Sequence, residues 1–280
     1  MIKTSVAILV FGVCFFAHIN AQNVPTVLPV WNKQIDKITL QDWLVNPVTV
    51  KAQVYKSADE KDIILYNGLL KRVFRLQPNI ACTDYTNLAN GQQLLRAIKP
   101  EASITIDDKV YAVGGLHGQK ENAYLLPEWI NNYTAHDSDF HFLSYTVSDL
   151  SSFLNWKNNR WATNKKNASG KQLIFKYASS LALLKGIIVK VQYELYDGLP
   201  LIVKSISVEN SGNHSFKINR VTNEILGLVE EESAVVGKPE EMKKQHGIYV
   251  ETNYAFNNAM RYDISDQTTH WKTDPAIRRR

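Results

Sequence analysis

The sequence contains little cysteine. Cys14 and Cys82 are its two cysteines among 280 residues, and Cys14 lies in an N-terminal apolar segment that we expect to be removed. One remaining thiol cannot form an internal disulfide, so the mature chain must be stable without one. Cys82 precedes Thr83 and Asp84, and we expect it to be a small packed residue rather than a nucleophile.

Long hydrophobic runs are also missing. The apolar stretch of residues 6–17 is about twelve residues long, whereas a helix needs about 20 to cross a bilayer. Lys3 precedes this stretch and the small residue Ala21 follows it, which is the pattern of a secretory signal. We therefore predict a signal peptide over residues 1–21 and an exported protein, periplasmic or secreted. The mature form is expected to have no membrane segment.

Residues of like charge are not clustered along most of the chain. The net charge is +5, and it falls to +4 when Lys3 is removed with the signal peptide. Positive and negative residues alternate, apart from the basic residues 278–280. This pattern is typical of a solvated surface, and we predict no nucleic-acid partner.

The motifs of several enzyme classes are absent. The sequence has no P-loop and no G-x-S-x-G motif, and its seven histidines show no short metal-ligand spacing. His136 and His141, with Asp137 and Asp139 between them, could hold a cation, although a solvated loop explains this cluster more simply. We expect neither a metal nor a cofactor.

Strand patterns joined by turn residues make up most of the chain. Three hairpins are predicted: residues 63–66 with 69–76 across Asn67-Gly68, 103–106 with 109–113 across Asp107-Asp108, and 187–196 with 199–208 across Asp197-Gly198. Asn-Gly favours a tight turn in which both central residues have positive φ. Further strands are predicted near residues 145–150, 173–177 and 216–226.

The strand at residues 187–196 has the clearest alternation. Its two faces are Val189, Val191, Tyr193 and Leu195 on one side, and Lys190, Gln192 and Glu194 on the other. A period of two predicts a sheet with one buried and one solvent-facing side.

Helical patterns are few. Residues 89–98 could hold one or two turns, and residues 239–245 a short polar helix. Many strands at a spacing of about 8–12 residues predict a β-sandwich. The expected fold is therefore all-β, a large sandwich of two packed sheets with long loops and few short helices.

Carboxylates are plentiful, but no pair is selected as catalytic. Asp197 occupies a predicted turn, Glu194 lies on the solvent-facing side of a predicted strand, and residues 230–232 are typical of a charged surface. Each has an ordinary structural explanation, so the sequence does not identify the two carboxyl groups that glycoside hydrolysis requires.

Three tryptophans lie among polar residues in predicted loops: Trp129, Trp156 and Trp161. An indole ring can stack on the C–H face of a sugar while nearby polar groups bind its hydroxyls, so we predict these three as carbohydrate-binding residues. The alternative is that they are loop anchors packed on the sandwich.

Several segments resemble the N-terminal domain of the glycoside hydrolase family 36 α-galactosidases and their relatives. The matching segments are residues 66–74 (YNGLLKRVF), 193–204 (YELYDGLPLIVK) and 206–212 (ISVENSG). Residues 216–229 are similar to the strand that follows them in that family. The resemblance covers approximately residues 60–235, which is most of the mature chain.

This resemblance implies a β-supersandwich of the galactose-mutarotase-like kind. In that family a (β/α)8 barrel follows and supplies both catalytic aspartates, and its nucleophile motif resembles Lys-Trp-Asp. The nearest string here, residues 270–274 (HWKTD), has a different order. A barrel needs about 250 residues, and there is no room for one.

The predicted organisation is a signal peptide over residues 1–21, an N-terminal segment over 22–59, and a supersandwich over 60–280 that is truncated before the barrel. The resemblance implies an accessory, carbohydrate-associated domain of an exported α-galactosidase-like glycoside hydrolase. Its expected partners are carbohydrate and the missing barrel, and the chain alone is not expected to be catalytic.

Two alternatives remain open from the sequence. One is a stand-alone carbohydrate-binding sandwich, with the three tryptophans as its stacking surface. The other is a mutarotase-type sugar epimerase that uses a histidine base and a glutamate, for which His117 and Glu121 are candidates by residue type.

Overall fold

The computed structural model describes residues 27–32, 35, 42–120, 123–151, 168–228, 248 and 250. The strands of these residues are β1 Gln53–Lys56, β2 Asp62–Tyr66, β3 Leu70–Arg75, β4 Ala81–Asn87, β5 Gln92–Gln93, β6 Leu95–Ala97, β7 Ala102–Ile106, β8 Lys109–Val113, β9 Phe140–Asp149, β10 Gly170–Ser179, β11 Ile187–Tyr196, β12 Ile202–Asn210, β13 Ile218–Thr222 and β14 Gly227–Leu228. Short 3-10 helices occur at Pro127–Asn132 and Ala182–Leu184. The predicted all-β, sandwich-like class is confirmed.

Most strands belong to two sheets. A five-stranded sheet has the order β1-β2-β3-β4-β5, and a seven-stranded sheet has the order β12-β11-β10-β9-β8-β7-β13. β14 and β6 form a separate pair. Neighbouring strands are antiparallel except for β8 and β9, which pair in parallel at Val113 and Phe140.

The core lies between the two large sheets. Phe74 of β3 contacts Phe175 of β10 and Tyr193 of β11, with ring centroids 5.1 and 4.9 Å apart. All three rings are fully buried. Edge-to-face and tilted aromatic contacts of this kind add to the free energy gained by burying apolar surface, so these rings join one sheet to the other.

The three predicted hairpins are present. The Asp107-Asp108 turn has positive φ at both residues, 47° and 65°, as a type I′ turn requires. The expectation for Asn67 was wrong, because only Gly68 of that pair has positive φ, at 83°. The Asn67 side chain instead accepts hydrogen bonds from the backbone N–H groups of Leu69 and Leu70, at 3.0 and 2.9 Å.

The inward face of β11 is as predicted, since Val189, Val191, Tyr193 and Leu195 are fully buried. The outward face differs at Glu194, which is buried rather than solvent-facing. Its carboxylate accepts hydrogen bonds from Gln192 Nε2 at 2.8 Å and from the Tyr196 hydroxyl at 2.7 Å. Neighbouring side chains therefore cover part of the face that the alternation predicted to be solvent-facing.

The helix prediction for residues 89–98 was wrong. Residues 87–90 form a turn instead, in which the side-chain oxygen of Asn87 accepts a hydrogen bond from the Ala89 backbone N–H at 3.0 Å. Strands β5 and β6 follow this turn. Gln93 then bonds to the edge of β4 through Tyr85 N, at 3.1 Å. Pairing with a neighbouring strand thus outweighs the weak local helix preference.

The predicted signal peptide, residues 230–232 and residues 239–245 lie outside the described residues. Within the part that is described, no helix is long and apolar enough to cross a membrane.

The seven-stranded sheet is curled, so its two ends approach each other. β12 lies at one end of the strand order and β13 at the other. Asn223, just after β13, donates from Nδ2 to the backbone oxygen of Lys204 in β12, at 3.0 Å. Glu224 also contacts the Lys204 ammonium, at 2.8 Å. The right-handed twist of sheets, accumulated over seven strands, makes such closure possible.

Candidate functional site

The candidate site is a corner of the molecule built by two loops, residues 114–120 and 127–139; we call it the loop corner. The second loop begins with the 3-10 helix Pro127–Asn132, which has proline in its first turn, where a preset φ and a missing N–H cost nothing. The helix buries Ile130 in a small apolar cluster with Ala81, Ile98, Leu116 and Tyr133. A two-way backbone bridge between His117 and Thr134 (2.8 and 2.9 Å) ties the loops together.

Trp129 lies at the loop corner. It is partly buried and packs against the same apolar cluster, and the Lys120 ammonium lies 5.4 Å from its ring centroid. A cation at this distance from an indole face is attracted to the ring. Trp156 and Trp161 lie outside the described residues, so the three-tryptophan sugar surface stays a prediction.

His117 is held by a buried carboxylate. Its Nε2 lies 2.9 Å from Asp139 Oδ2, and the side chains are 49% and 6% exposed, respectively. A buried carboxylate oriented towards an accessible imidazole fixes both the ring position and the tautomer. Glu121, the other residue named for proton transfer, lies outside the described residues.

A second imidazole stands beside the first. The rings of His136 and His117 have centroids 5.8 Å apart and an interplanar angle of 54°. His136 Nδ1 lies 2.9 Å from Ser138 Oγ and 3.3 Å from Ser138 N. The structure thus separates the predicted cation cluster: Asp139 binds His117 rather than His136. Within the described residues, no group of three or more His, Cys, Asp or Glu is placed to hold a metal ion.

A buried group of charges, which we call the ion cluster, was not predicted from the sequence. It consists of Arg72 of β3, Glu101 before β7, Lys204 of β12 and Glu224 after β13. Arg72 binds Glu224 with two nitrogens, at 2.8 and 3.3 Å, and Glu101 at 3.4 Å. Tyr193 donates its hydroxyl to Glu101. The cluster therefore connects the five-stranded sheet to both ends of the seven-stranded one.

The sequence did carry a signal for the ion cluster. Arg72 is in phase with the inward-facing Leu70 and Phe74 of β3, and Lys204 is the cross-strand partner of the buried Tyr193. A charged residue at an inward position of an alternating strand indicates a buried partner of opposite sign, because an unpaired buried charge is very costly.

The positive charges of the ion cluster favour the ionised form of the Glu224 carboxylate. Burial alone would raise the pKa of Glu224, but the positive charges of Arg72 and Lys204 outweigh it and bring the pKa to about 2. Burial lowers the pKa of Lys204 against the opposing pull of Glu224 and Glu101. Glu224 therefore stays ionised throughout the neutral range and cannot act there as a general acid.

Cys82 lies in the core beside the ion cluster. Its backbone N–H donates to Glu101 Oε1 at 2.8 Å, and burial raises the pKa of its thiol to about 12. A thiol with this pKa is protonated at neutral pH and is a poor nucleophile, which agrees with the expected packing role.

No family model, no curated protein and no solved structure matches this chain.

Proposed function

We propose that the chain is the N-terminal accessory, carbohydrate-associated domain of an exported α-galactosidase-like glycoside hydrolase. The observation that carries the proposal is that the two turns behind the resemblance contact each other. Asn67 Nδ2 donates to the backbone oxygens of Tyr196 and Leu199, at 2.8 and 2.7 Å. If the two hairpins resembled the family only by chance, there would be no reason for Asn67 of the first turn to bind the second turn, 129 residues away.

Asp197 of the second turn adds to this junction. Its carboxylate accepts from the Ala52 backbone N–H and the Ser169 hydroxyl, both at 2.7 Å, and lies 3.2 Å from Lys51. Burial works against the charged form, but these partners lower the pKa of Asp197 below its ordinary value. The motif residues thus hold the fold together, which supports an accessory rather than a catalytic role for the region of resemblance.

The ion cluster supports the same view. Glu101 and Glu224 both contact Arg72, but a retaining glycosidase needs one carboxyl group that is protonated to donate to the leaving oxygen. Glu224 is held ionised by Arg72 and Lys204, and Glu101 is buried against Arg72 and Tyr193. This pair is suited to joining sheets rather than to cleaving a glycosidic bond.

An accessory domain needs a surface for its catalytic partner. Val50, Leu199 and Leu201 are 39%, 40% and 44% exposed at the junction of the two turns, where the side chain of Val50 adjoins Gly68. Exposed apolar residues that gather in one place are typical of protein–protein contacts. We therefore assign the docking of the catalytic barrel to this end of the sandwich.

The proposal is tested by mixing the purified chain with the isolated (β/α)8 domain of a family 36 α-galactosidase. We expect a complex in size-exclusion chromatography and no hydrolysis of p-nitrophenyl α-galactoside by the chain alone. The double substitution Leu199→Ser, Leu201→Ser should weaken the complex. Leu183→Ser is the matched control, since Leu183 is 64% exposed in the 3-10 helix before β11, at the opposite end of that strand from Leu199.

Two results would contradict the proposal. One is α-galactoside hydrolysis by the chain alone, which would make it an enzyme in its own right. The other is a complex that Leu183→Ser weakens as much as the double substitution does, because the barrel would then not dock at the junction of the two turns.

A further inference from the structure

The two imidazoles of the loop corner present different groups to solvent. The Asp139 carboxylate can only accept a hydrogen bond from His117, so His117 Nε2, 2.9 Å from Oδ2, carries the proton. The neutral ring then has its lone pair on Nδ1. Because the His117 side chain is 49% exposed, this Nδ1 is an accessible hydrogen-bond acceptor.

His136 has the opposite arrangement. The backbone N–H of Ser138, which can only donate, points to His136 Nδ1 at 3.3 Å. Nδ1 is therefore an acceptor, and the proton of the neutral ring lies on Nε2. His136 is exposed, so its Nε2–H is an accessible donor beside the His117 acceptor, with the two ring centroids 5.8 Å apart.

We propose that His117 and His136 form a binding site for two neighbouring hydroxyl groups of a sugar ring. A hydroxyl both donates and accepts, so one hydroxyl donates to His117 Nδ1 while the next accepts from His136 Nε2–H. This inference rests on the proposed carbohydrate-associated function and names the residues and the ligand class.

The rigidity of the site supports binding. His117 is fixed by the buried Asp139 and by the backbone bridge to Thr134. His136 is fixed by Ser138, and Asp139 N donates to the His136 carbonyl oxygen at 2.9 Å. Groups that are already held in place lose little conformational entropy on binding, so even a few hydrogen bonds give measurable affinity.

A metal ion is the competing ligand for two imidazoles, and the geometry disfavours it. His117 Nε2 is engaged by Asp139 and His136 Nδ1 by Ser138, which leaves one nitrogen of each ring. Zinc sites use at least three protein ligands, and the described residues offer no such group.

The test is calorimetric titration of the purified protein with D-galactose, with cellobiose and with ZnCl2. We expect the wild type to bind galactose. His117→Ala and His136→Ala should each raise the Kd about fivefold to tenfold, which corresponds to the free energy of one hydrogen bond. His136→Gln should restore most of the affinity, because its amide can donate from a similar position. His214→Ala is the matched control, since His214 is exposed in the loop between β12 and β13. Circular dichroism and the thermal midpoint check that each variant is folded.

The outcomes separate the site from the function. If the protein binds galactose or cellobiose and both alanine variants bind equally well, the site is wrong while the carbohydrate-associated function stands. If no sugar binds, the carbohydrate association fails together with the site. If the protein binds zinc through both histidines and binds no sugar, the site is a metal site and the inference is overturned.

Discussion

Arg72 shows how a full charge can be buried in this core. Its side chain is 2% exposed, and the guanidinium lies over the rings of Phe74, Tyr85 and Tyr193 at 5.1, 5.1 and 4.8 Å. Cation–π contacts and two carboxylates offset the loss of hydration. The arrangement stabilises the fold only while every partner is present.

Replacing Glu224 by glutamine should therefore be costly. Glu224→Gln leaves Arg72 and Lys204 buried with one carboxylate fewer, and breaking a buried ion pair costs about 3–5 kcal/mol. Urea unfolding followed by tryptophan fluorescence measures the change. The matched control is Glu209→Gln, because Glu209 is exposed and pairs with Lys190 on the surface; it should shift the free energy of unfolding by less than about 0.5 kcal/mol. Equal effects of the two substitutions would contradict the structural role of Glu224.

The same residue predicts an acid dependence of stability. The pKa of Glu224 is about 2 in the folded protein, below its ordinary value of 4.5, so the unfolded chain takes up the proton first as the pH falls. Its contribution is complete above pH 4.5 and is lost as the pH falls towards 2, on the order of 3 kcal/mol in total.

This dependence is measured by urea titrations between pH 7 and pH 2.5, the working range of the assay, comparing the wild type with Glu224→Gln. Because other carboxylates also titrate, the difference between the two proteins is the informative quantity. It should shrink as the pH falls. A difference that stays constant would show that Glu224 has an ordinary pKa in the folded state.

At the scale of elements, the turns stabilise the fold through side-chain hydrogen bonds as well as through their backbone conformation. Asn67 is fully buried, and its side chain binds two N–H groups of its own hairpin and two carbonyl oxygens of the β11–β12 turn. One asparagine thus connects the five-stranded sheet to the seven-stranded one.

Asn67→Ala should destabilise the protein by about 3 kcal/mol or more, because it leaves several buried backbone groups without partners, each costing about 1–3 kcal/mol. Differential scanning calorimetry measures the loss. Asn90→Ala is the control, since Asn90 bonds to the nearby Gln92 in an exposed turn. A small effect of Asn67→Ala, comparable to that of the control, would mean that water replaces these contacts.

At the scale of the whole molecule, the curled sheet depends on contacts between its two ends. β13 is largely exposed and pairs with β7, and Glu224 follows it and binds Lys204 of β12. Loss of this contact should free β13 before it affects the hairpins of the five-stranded sheet.

Hydrogen exchange with mass spectrometry tests this. In Glu224→Gln, peptides that cover β13 should exchange at least about tenfold faster, which corresponds to 1.4 kcal/mol of local opening, while β2 and β3 change less. Uniform acceleration of all strands would indicate global destabilisation instead, and no acceleration at β13 would show that Glu224 does not hold the end of the sheet.

Sequence patterns predicted strand faces and hairpin positions correctly where these depend on interactions between adjacent residues. Alternation along β11 predicted its inward face, and Asp107-Asp108 and Asp197-Gly198 predicted their hairpins, because turn conformation and strand periodicity depend on adjacent residues. The same reasoning was wrong for residues 89–98, where pairing with β4 decides the structure.

The sequence by itself determined the all-β class and the positions of the main hairpins, since both follow from local spacing and turn chemistry. The tertiary structure decided the order of the strands, the approach of β12 and β13, and the meeting of Asn67 with Leu199. It also decided the partners of Arg72, which come from as far as 152 residues away, and the pairing of His117 with Asp139. Contacts between distant residues depend on how the sheets twist and pack, and neither spacing nor composition encodes that geometry directly.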